Sequence, residues 1–310
     1  MGDLVVISPP CQMAMAEGAM LLVAGLGFAG MAAARLAAAA GWRVAGTARD
    51  PAASAAPPGV EPVAFAAASA AIAEASHLFV TAPPNEAGDP VIGAHRPALE
   101  AALAAGTLRW IGYLSTTGVY GDHGGAKVDE ATRPTPGQER SRRRLAAEES
   151  WRNLAAGRAA LDIFRAGGIY GPGRSAFDDL RAGTARRVAK PGHAFSRIHR
   201  DDIARAVLAA IGQDLPPTVR ILHLVDDEPA ESAEVVAHAA RLLGLEPPPA
   251  IPFEAARARM SPMALSFWAE NRHVTNALTK AALGIAWRHP TYREGLAAIL
   301  EEERRQGLPQ

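Results

Sequence analysis

The sequence is poor in cysteine, in net charge and in long apolar runs, and each lack excludes a class of protein. Its 310 residues include a single cysteine, Cys11, which excludes an internal disulfide and a cysteine-based zinc cage. Lysine plus arginine and aspartate plus glutamate both total 32, so no net field attracts nucleic acid or an anionic membrane. No apolar run reaches the roughly 18 residues that a membrane span needs. We therefore expect a cytoplasmic protein whose partner is a small molecule, not a nucleic acid or a membrane.

The two ends of the sequence do not fit the pattern of the rest. Residues 1–19 contain no basic segment, and their apolar run at 4–7 is too short for the apolar core of a signal peptide. We predict a mobile extension over residues 1–19 and a tail over residues 304–310. An ordered additional strand at 4–7 is the alternative.

Between these ends, short apolar runs alternate with helical patterns, which is typical of a parallel sheet covered by helices on both faces. The predicted strands are 20–24, 42–47, 60–65, 77–82, 108–114 and 160–165, and the predicted helices between them are 29–40, 67–74, 90–105 and 139–156. The fold class is therefore α/β, with a Rossmann-type doubly wound parallel sheet over residues 20–170 and right-handed crossovers.

The pattern loosens after residue 170, where we expect a smaller C-terminal substrate-binding region over residues 171–303. Some of its segments return to the main sheet. Its predicted elements are a helix at 176–182, the segment 195–211, a strand at 220–225 and a final segment that ends with residues 292–303.

A glycine-rich turn follows the first strand. Gly25, Gly27 and Gly30 have the G-x-G-x-x-G spacing of dinucleotide-binding proteins, between a buried strand and a helix as that motif requires. The first glycine permits the sharp turn, the second lets the backbone approach a diphosphate, and the third lets the helix pack close to the strand. The diphosphate then lies at the positive end of the helix. A glycine-rich turn without a ligand is the alternative.

The second strand indicates which dinucleotide is bound. It ends at Arg49 without an acidic residue at its tip, and a guanidinium suits the 2′-phosphate of NADP. NADP is therefore favoured over NAD. Asp50 is the competing candidate, because a shift of one residue would bring its carboxylate to the ribose hydroxyls of NAD. The third interpretation is that Arg49 is a solvated loop residue that binds no cofactor.

Three further motifs follow the glycine turn in a specific order. They are STTGVYG at 115–121, RAGGIYGPGR at 165–174 and RIHRDDIA at 197–204. With these landmarks, residues 20 to about 300 resemble the extended or atypical short-chain dehydrogenase/reductase superfamily, in its NAD-dependent epimerase/dehydratase-like form. The runs TAPP at 81–84 and GDP at 88–90 resemble the YeeZ-like branch of the atypical members.

The resemblance implies a Ser/Thr, a Tyr and a Lys as catalytic groups, and only the first is present. Thr116 occupies the Ser/Thr position, which orients the substrate oxygen. Arg140 stands where the Tyr belongs and Arg144 where the Lys belongs, and an arginine does not deliver a proton at neutral pH. Four apart on one helix, the two arginines can instead hold an anionic group. A solvated basic helix face is the competing interpretation.

Other side chains complete the expected site. Tyr120 is a candidate proton donor, with packing in the V-Y-G turn as the alternative. The expected cofactor-binding residues are Gly25, Leu26, Gly27, Phe28, Ala29, Gly30, Arg49, Thr81, Ala82, Pro83, Ser115, Tyr170 and Gly171. The expected substrate residues are Arg174, Arg197 and Arg272. No metal site is expected, because His193 and His199 have no third ligand at a suitable spacing.

These observations predict an NADP-dependent oxidoreductase or epimerase that acts on a small polar, anionic carbonyl or hydroxyl substrate. The alternative is a catalytically inactive NADP(H)-binding sensor or scaffold that lost the Tyr and the Lys together. The resemblance is also compatible with a homodimer, but the arginines of the helix at 139–156 leave monomer and dimer both open.

Overall fold

The computed structural model describes residues 18–307. Cys11, the apolar run at 4–7 and nearly all of the predicted extension therefore lie outside the described residues, as do residues 308–310. Within residues 18–307, no helix is both long enough and apolar enough to cross a membrane.

The apolar runs form the strands of one large sheet and several short pairs. The strands are, in chain order, β1 (Met20–Ala24), β2 (Arg43–Ala48), β3 (Val60–Ala64), β4 (His77–Val80), β5 (Trp110–Thr116), β6 (Lys127–Val128), β7 (Ala160–Ala166), β8 (Gly168–Tyr170), β9 (Arg187–Ala189), β10 (Ala194–Phe195), β11 (Arg197–His199), β12 (Val219–Leu224), β13 (Ala230–Glu231), β14 (Ala250–Pro252) and β15 (His273–Val274). The helices are α1 (Phe28–Ala39), α2 (Ala68–Glu74), α3 (Pro90–Ala104), α4 (Glu139–Ala155), α5 (Ala176–Arg181), α6 (Arg200–Ile211), α7 (Ser232–Leu242), α8 (Phe253–Arg257), α9 (Pro262–Trp268), α10 (Ala277–Leu283) and α11 (Tyr292–Arg305).

The large sheet has seven parallel strands in the order β12-β7-β5-β4-β1-β2-β3. The six strands predicted from the first half of the chain are all present, and the strand expected at 220–225 pairs with β7 as the seventh. The doubly wound α/β prediction is therefore confirmed. Strand order reverses between β1 and β4, and the crevice at the carboxyl ends of these strands is where such sheets bind ligands.

Helices cover both faces of the sheet because its central strand is apolar on both sides. Leu21 and Val23 of β1 face a core formed with α1 and α6, whereas Met20 and Leu22 face a core formed with α2, α3 and α4. The side of α1 that packs against α6 consists of alanines, and these small side chains let the two helices approach closely.

The C-terminal part of the chain builds small structures beside the carboxyl edge of the sheet. Strand β8 follows β7 directly in the chain and pairs in parallel with β11, and β15 pairs in parallel with β6. A separate apolar cluster joins α5, α7 and α11. The last helix extends to Arg305, two residues into the predicted tail.

Candidate active site

The turn between β1 and α1 has the tight geometry that its glycines predict. Gly25 has a φ of +114°, and a Cβ at this position would lie 2.7 Å from Thr81 Oγ1. The Thr81 hydroxyl donates a hydrogen bond of 2.6 Å to the carbonyl oxygen of Gly25. A Cβ on Gly30 would overlap that same carbonyl oxygen. Gly25 and Gly30 are therefore required by the packing of the protein itself.

Gly27 differs from the other two glycines. It is the N-cap of α1, with φ −88° and ψ −165°, and an L-residue can adopt this extended conformation. A Cβ at Gly27 would have no described atom within 4 Å. No side chain caps α1, and its hydrogen-bonded amides begin at Met31. The N-terminal amides of α1 are thus left facing open space, as an anion site at a helix N-terminus requires.

A cleft of about 980 Å³ opens in front of this turn, along the carboxyl ends of β1, β4, β5 and β7. It brings together many of the residues predicted from the sequence. They are Gly27, Phe28, Ala29, Thr81, Pro83, Ser115, Thr116, Arg140, Arg144, Arg174, Arg197 and Arg272.

Four residues predicted to bind the cofactor have other surroundings. The amide of Leu26 donates to the carbonyl oxygen of Thr47 at 2.8 Å, and its side chain packs on Gly46, so Leu26 joins the turn to β2. The amide of Ala82 is bonded to the carbonyl oxygen of Ala24. Gly171 pairs with Arg174 through its backbone but, unlike Arg174, does not line the cleft. Tyr170 is buried in the C-terminal apolar cluster and does not line the cleft, so the structure gives no support to its predicted contact with the cofactor.

Tyr120 also lies away from the cleft lining, so the structure gives no support to its prediction as a proton donor to substrate. Its side chain is fully buried, and its hydroxyl lies 2.8 Å from Arg165 Nη1 and 2.5 Å from His223 Nε2. Burial raises the pKa of Tyr120 to about 12. The packing alternative for the V-Y-G turn fits this environment.

Both arginines that replace the usual Tyr and Lys line the cleft. Arg144 Nη1 donates to the carbonyl oxygen of Leu114 at 2.9 Å and to the hydroxyl of Tyr113 at 3.2 Å, which fixes it at the end of β5. Arg140 is exposed, and its guanidinium carbon lies 4.0 Å from the ring centre of Phe267. Their neighbours Arg142 and Arg143 pair with Glu139 on the surface, as the side chains of a solvated basic helix face do.

Thr116 lies at the floor of the cleft, where β5 ends. Its Oγ1 accepts a hydrogen bond of 3.1 Å from the amide of Gly118, so the hydroxyl hydrogen remains available to a ligand. The hydroxyl of the neighbouring Ser115 is instead bonded to Glu148 at 2.5 Å. Thr116 is therefore the better placed of the two to orient a substrate oxygen.

Two of the predicted substrate residues are held in the cleft wall by carbonyl groups. Arg197 Nη1 donates to the carbonyl oxygens of Phe195 and Ala230, both at 2.9 Å. Arg272 Nη1 donates to the carbonyl oxygen of Gly121 at 2.7 Å and pairs with Glu270 at 2.9 Å. Burial lowers the pKa of both guanidinium groups.

A buried polar network behind the cleft was missed by the sequence reasoning. Glu148, with no exposed surface, holds Arg165 through two hydrogen bonds of 2.7 and 3.1 Å. Arg165 in turn reaches Tyr120, and Tyr120 reaches His223. The only available signal was an arginine inside the apolar run of β7, and its partners lie 17 and 45 residues away along the chain.

His199, Asp202 and His289 form a compact buried group at the start of α6, with potential ligand atoms within 4.8 Å of one another. Both oxygens of Asp202 already accept hydrogen bonds, from the amides of Arg288 and His289. His199 Nδ1 accepts from the amide of Asp201. These hydrogen bonds tie the connection between β11 and α6 to the segment at Arg288 and His289.

Comparison with known proteins gives relatives across most of the chain, although no family model matches the sequence. A 3-diazoavenalumate denitrifying reductase from a Streptomyces species is 32% identical over 216 residues, which cover 64% of this chain and 67% of that protein. A functionally unknown conserved protein from Silicibacter pomeroyi DSS has a solved structure that is 40% identical, with a TM-score of 0.83 over 92% of this chain and 99% of that one.

A third relative links the fold to a named group of enzymes. It is a protein from Methylobacillus flagellatus assigned to the NAD-dependent epimerase/dehydratases, 25% identical, with a TM-score of 0.71 over 93% of this chain and 99% of that one. The chain belongs to the atypical or extended short-chain dehydrogenase/reductase superfamily, in its epimerase/dehydratase-like form. The YeeZ-like branch stays a prediction.

Proposed function

We propose that this chain is an NADP(H)-dependent oxidoreductase or epimerase-like enzyme for a small anionic carbonyl or hydroxyl substrate. One observation carries the proposal: the open N-terminus of α1, Thr116 and five arginines line the same cleft. A nicotinamide cofactor bound there supplies or accepts the hydride, as in other enzymes of this superfamily. The reductase name of the Streptomyces relative, at 32% identity, supports the same class of reaction.

The protein fits a dinucleotide at the turn because the space beside Gly27 is free of protein atoms. A diphosphate in this space would accept hydrogen bonds from the first amides of α1 and gain from the helix dipole. Arg174 also lines the cleft, with its guanidinium carbon 5.6 Å from the ring centre of Phe28. Gly27, Phe28, Ala29 and Arg174 would hold the phosphates.

The choice of NADP rests on the end of β2. Arg49 is exposed, and no described residue forms an ion pair with it, so its guanidinium is free for a 2′-phosphate. Asp50 Oδ1 instead accepts hydrogen bonds from the amides of Ala52 and Ala53, at 3.0 and 3.3 Å. The competing carboxylate is therefore engaged in its own turn, which favours a phosphate ligand over ribose hydroxyls.

Replacing Arg49 with alanine is expected to weaken NADPH binding by about tenfold to a hundredfold, because a charge-assisted contact is worth roughly 1.5–3 kcal/mol. NADH binding should change little. Fluorescence titration with both cofactors measures the two affinities. Arg43→Ala is the matched control, since Arg43 lies on the same strand and pairs with Glu74 on the surface. Equal losses for NADPH and NADH in Arg49→Ala would remove the case for the phosphate contact.

The chain's own residues then have distinct tasks in catalysis. Thr116 donates its hydroxyl hydrogen to the reacting oxygen of the substrate. Arg144, fixed at the end of β5, stabilises negative charge that develops on this oxygen, and Arg140 binds an anionic group of the substrate. Neither arginine exchanges a proton at neutral pH, so the proton comes from solvent or from another acid.

The composition of the cleft also supports the second candidate, a cofactor-binding sensor without turnover. Among the described residues that line the cleft there is no Tyr, Lys, His or Cys, and Glu270 is the only carboxylate.

Multiple-turnover NADPH oxidation decides between the two functions. The enzyme is expected to oxidise NADPH with at least one member of a panel of 2-oxo acids and carboxylated aryl aldehydes, and Thr116→Ala should slow this reaction. Saturable NADPH binding without oxidation by any member would favour the sensor.

A further inference from the structure

The far side of the cleft carries apolar groups that the hydride-transfer proposal does not use. Met263 and Phe267 lie four residues apart on α9 and both line the cleft. They are nevertheless 67% and 53% exposed, among the most exposed large apolar side chains of the described residues. Two such side chains over a cleft indicate a surface that a ligand covers.

The helix that bears these side chains is anchored at its C-terminal end. The ring of Trp268 contacts the rings of Phe195, His193 and Phe253, with centroid separations of 5.0, 5.4 and 5.3 Å. Lys190 Nζ donates to the Trp268 carbonyl oxygen at 2.8 Å. The anchor holds α9 in place, so Met263 and Phe267 form a defined wall of the cleft.

The polar groups on the cleft lining limit the chemistry of the ligand. The lining carries five arginines and several Ser and Thr hydroxyls, but no Asn, Gln or Asp among the described residues. Glu270 is held by Arg272 at 2.9 Å. Arginine only donates hydrogen bonds. The five arginines therefore suit a ligand with anionic acceptor oxygens, such as a carboxylate.

Charge and apolar surface meet at one place. The guanidinium of Arg140 lies over the ring of Phe267, 4.0 Å from its centre. A flat ring with a carboxylate can contact Phe267 and Met263 with its face and pair with Arg140 through its acid group. An aliphatic acid would leave the apolar wall uncovered.

We propose that the substrate is an aromatic carboxylate, with its ring against Met263 and Phe267 and its acid group on Arg140. This assignment deepens the proposed function and rests on it for the direction of the reaction. It distinguishes the site from a sugar-nucleotide site, because the polar ring of a sugar would bury less of the apolar surface of Met263 and Phe267 than an aromatic ring does. Met263 and Phe267 are specificity-determining residues in this account.

Binding of two acids that differ only in the ring tests the proposal. On protein saturated with NADP⁺, trans-cinnamate is expected to bind at least about tenfold more tightly than crotonate, the ratio that 1.4 kcal/mol of apolar contact gives. The double variant Met263→Ala/Phe267→Ala should bring this ratio close to one. Leu278→Ala is the control, since Leu278 is 58% exposed on α10 and does not line the cleft. Arg140→Met should weaken both acids and leave their ratio unchanged.

Two results would overturn the proposal. One is saturable binding of UDP-glucose together with equal affinities for cinnamate and crotonate. The other is the same cinnamate preference in the double variant and in Leu278→Ala. A parallel titration with NADP⁺ reports on the proposed function separately. If the cofactor does not bind, the same two acids are compared on cofactor-free protein, and their ratio still decides the aromatic assignment.

Discussion

Replacing Gly30 with alanine is expected to destabilise the protein by about 3 kcal/mol or more and to abolish cofactor binding. The Cβ of the new residue would overlap the carbonyl oxygen of Gly25. That oxygen is held in place by the hydroxyl of Thr81, which donates a hydrogen bond of 2.6 Å to it. The collision therefore forces α1 away from β1. Chemical denaturation measures the loss.

Gly93→Ala provides the control for this experiment. Gly93 lies inside α3, is exposed, and a Cβ there would meet nothing within 4 Å. Because alanine favours helices over glycine, this control should be neutral or more stable by about 0.5–1 kcal/mol. A Gly30→Ala protein as stable as Gly93→Ala would show that the described contact between α1 and the turn is incorrect.

Removal of the Glu148 carboxylate is the second change with a large expected effect. Glu148→Ala leaves Arg165, which is 2% exposed, without its bidentate partner, and an uncompensated buried charge costs about 3–5 kcal/mol. The same change frees the hydroxyl of Ser115 at the cleft wall. We therefore expect a large fall in the free energy of unfolding, measured by denaturant titration at neutral pH.

The neighbouring residue of the same helix gives a matched comparison. Glu149 is 62% exposed and contacts Arg152 at 3.5 Å, so Glu149→Ala should change stability by less than about 1 kcal/mol. Glu148→Gln should fall between wild type and Glu148→Ala, because the amide oxygen can still accept one hydrogen bond from Arg165. Similar stabilities of Glu148→Ala and Glu149→Ala would contradict the buried network.

Much of the fold could be predicted from the sequence because its signals are local. The run of β1 is apolar throughout and those of β4 and β7 are mostly apolar, which is typical of parallel strands buried on both faces. The strand limits at 20–24 agree with the structure, and those of the other sheet strands differ by up to two residues. The glycine turn could also be predicted, because the G-x-G-x-x-G spacing between a strand and a helix is a local pattern.

The site was predicted less completely, because its contacts join distant segments. The burial of Tyr120 depends on Arg165 and His223, which are 45 and 103 residues away. Tyr170 follows a strand that ends at the cleft, yet it packs beside Leu296 in the C-terminal cluster. No sequence motif marks Met263 and Phe267 as residues of the cleft wall. Only the tertiary structure places α9 over the cleft.

Alanine at Gly27 tests the central claim most directly, because the proposed diphosphate, and not the packing of the protein, would require a glycine here. Its backbone conformation and the empty space around it accommodate a Cβ, so the unfolding midpoint of the cofactor-free protein should stay unchanged. A diphosphate at the N-terminus of α1 would collide with that Cβ, and we expect NADPH affinity to fall at least about a hundredfold, or by 2.7 kcal/mol. Titration of wild type and Gly27→Ala with NADPH, with unfolding followed in parallel, gives both quantities. Equal NADPH affinity in the two proteins, or no saturable binding to wild type, would contradict the account.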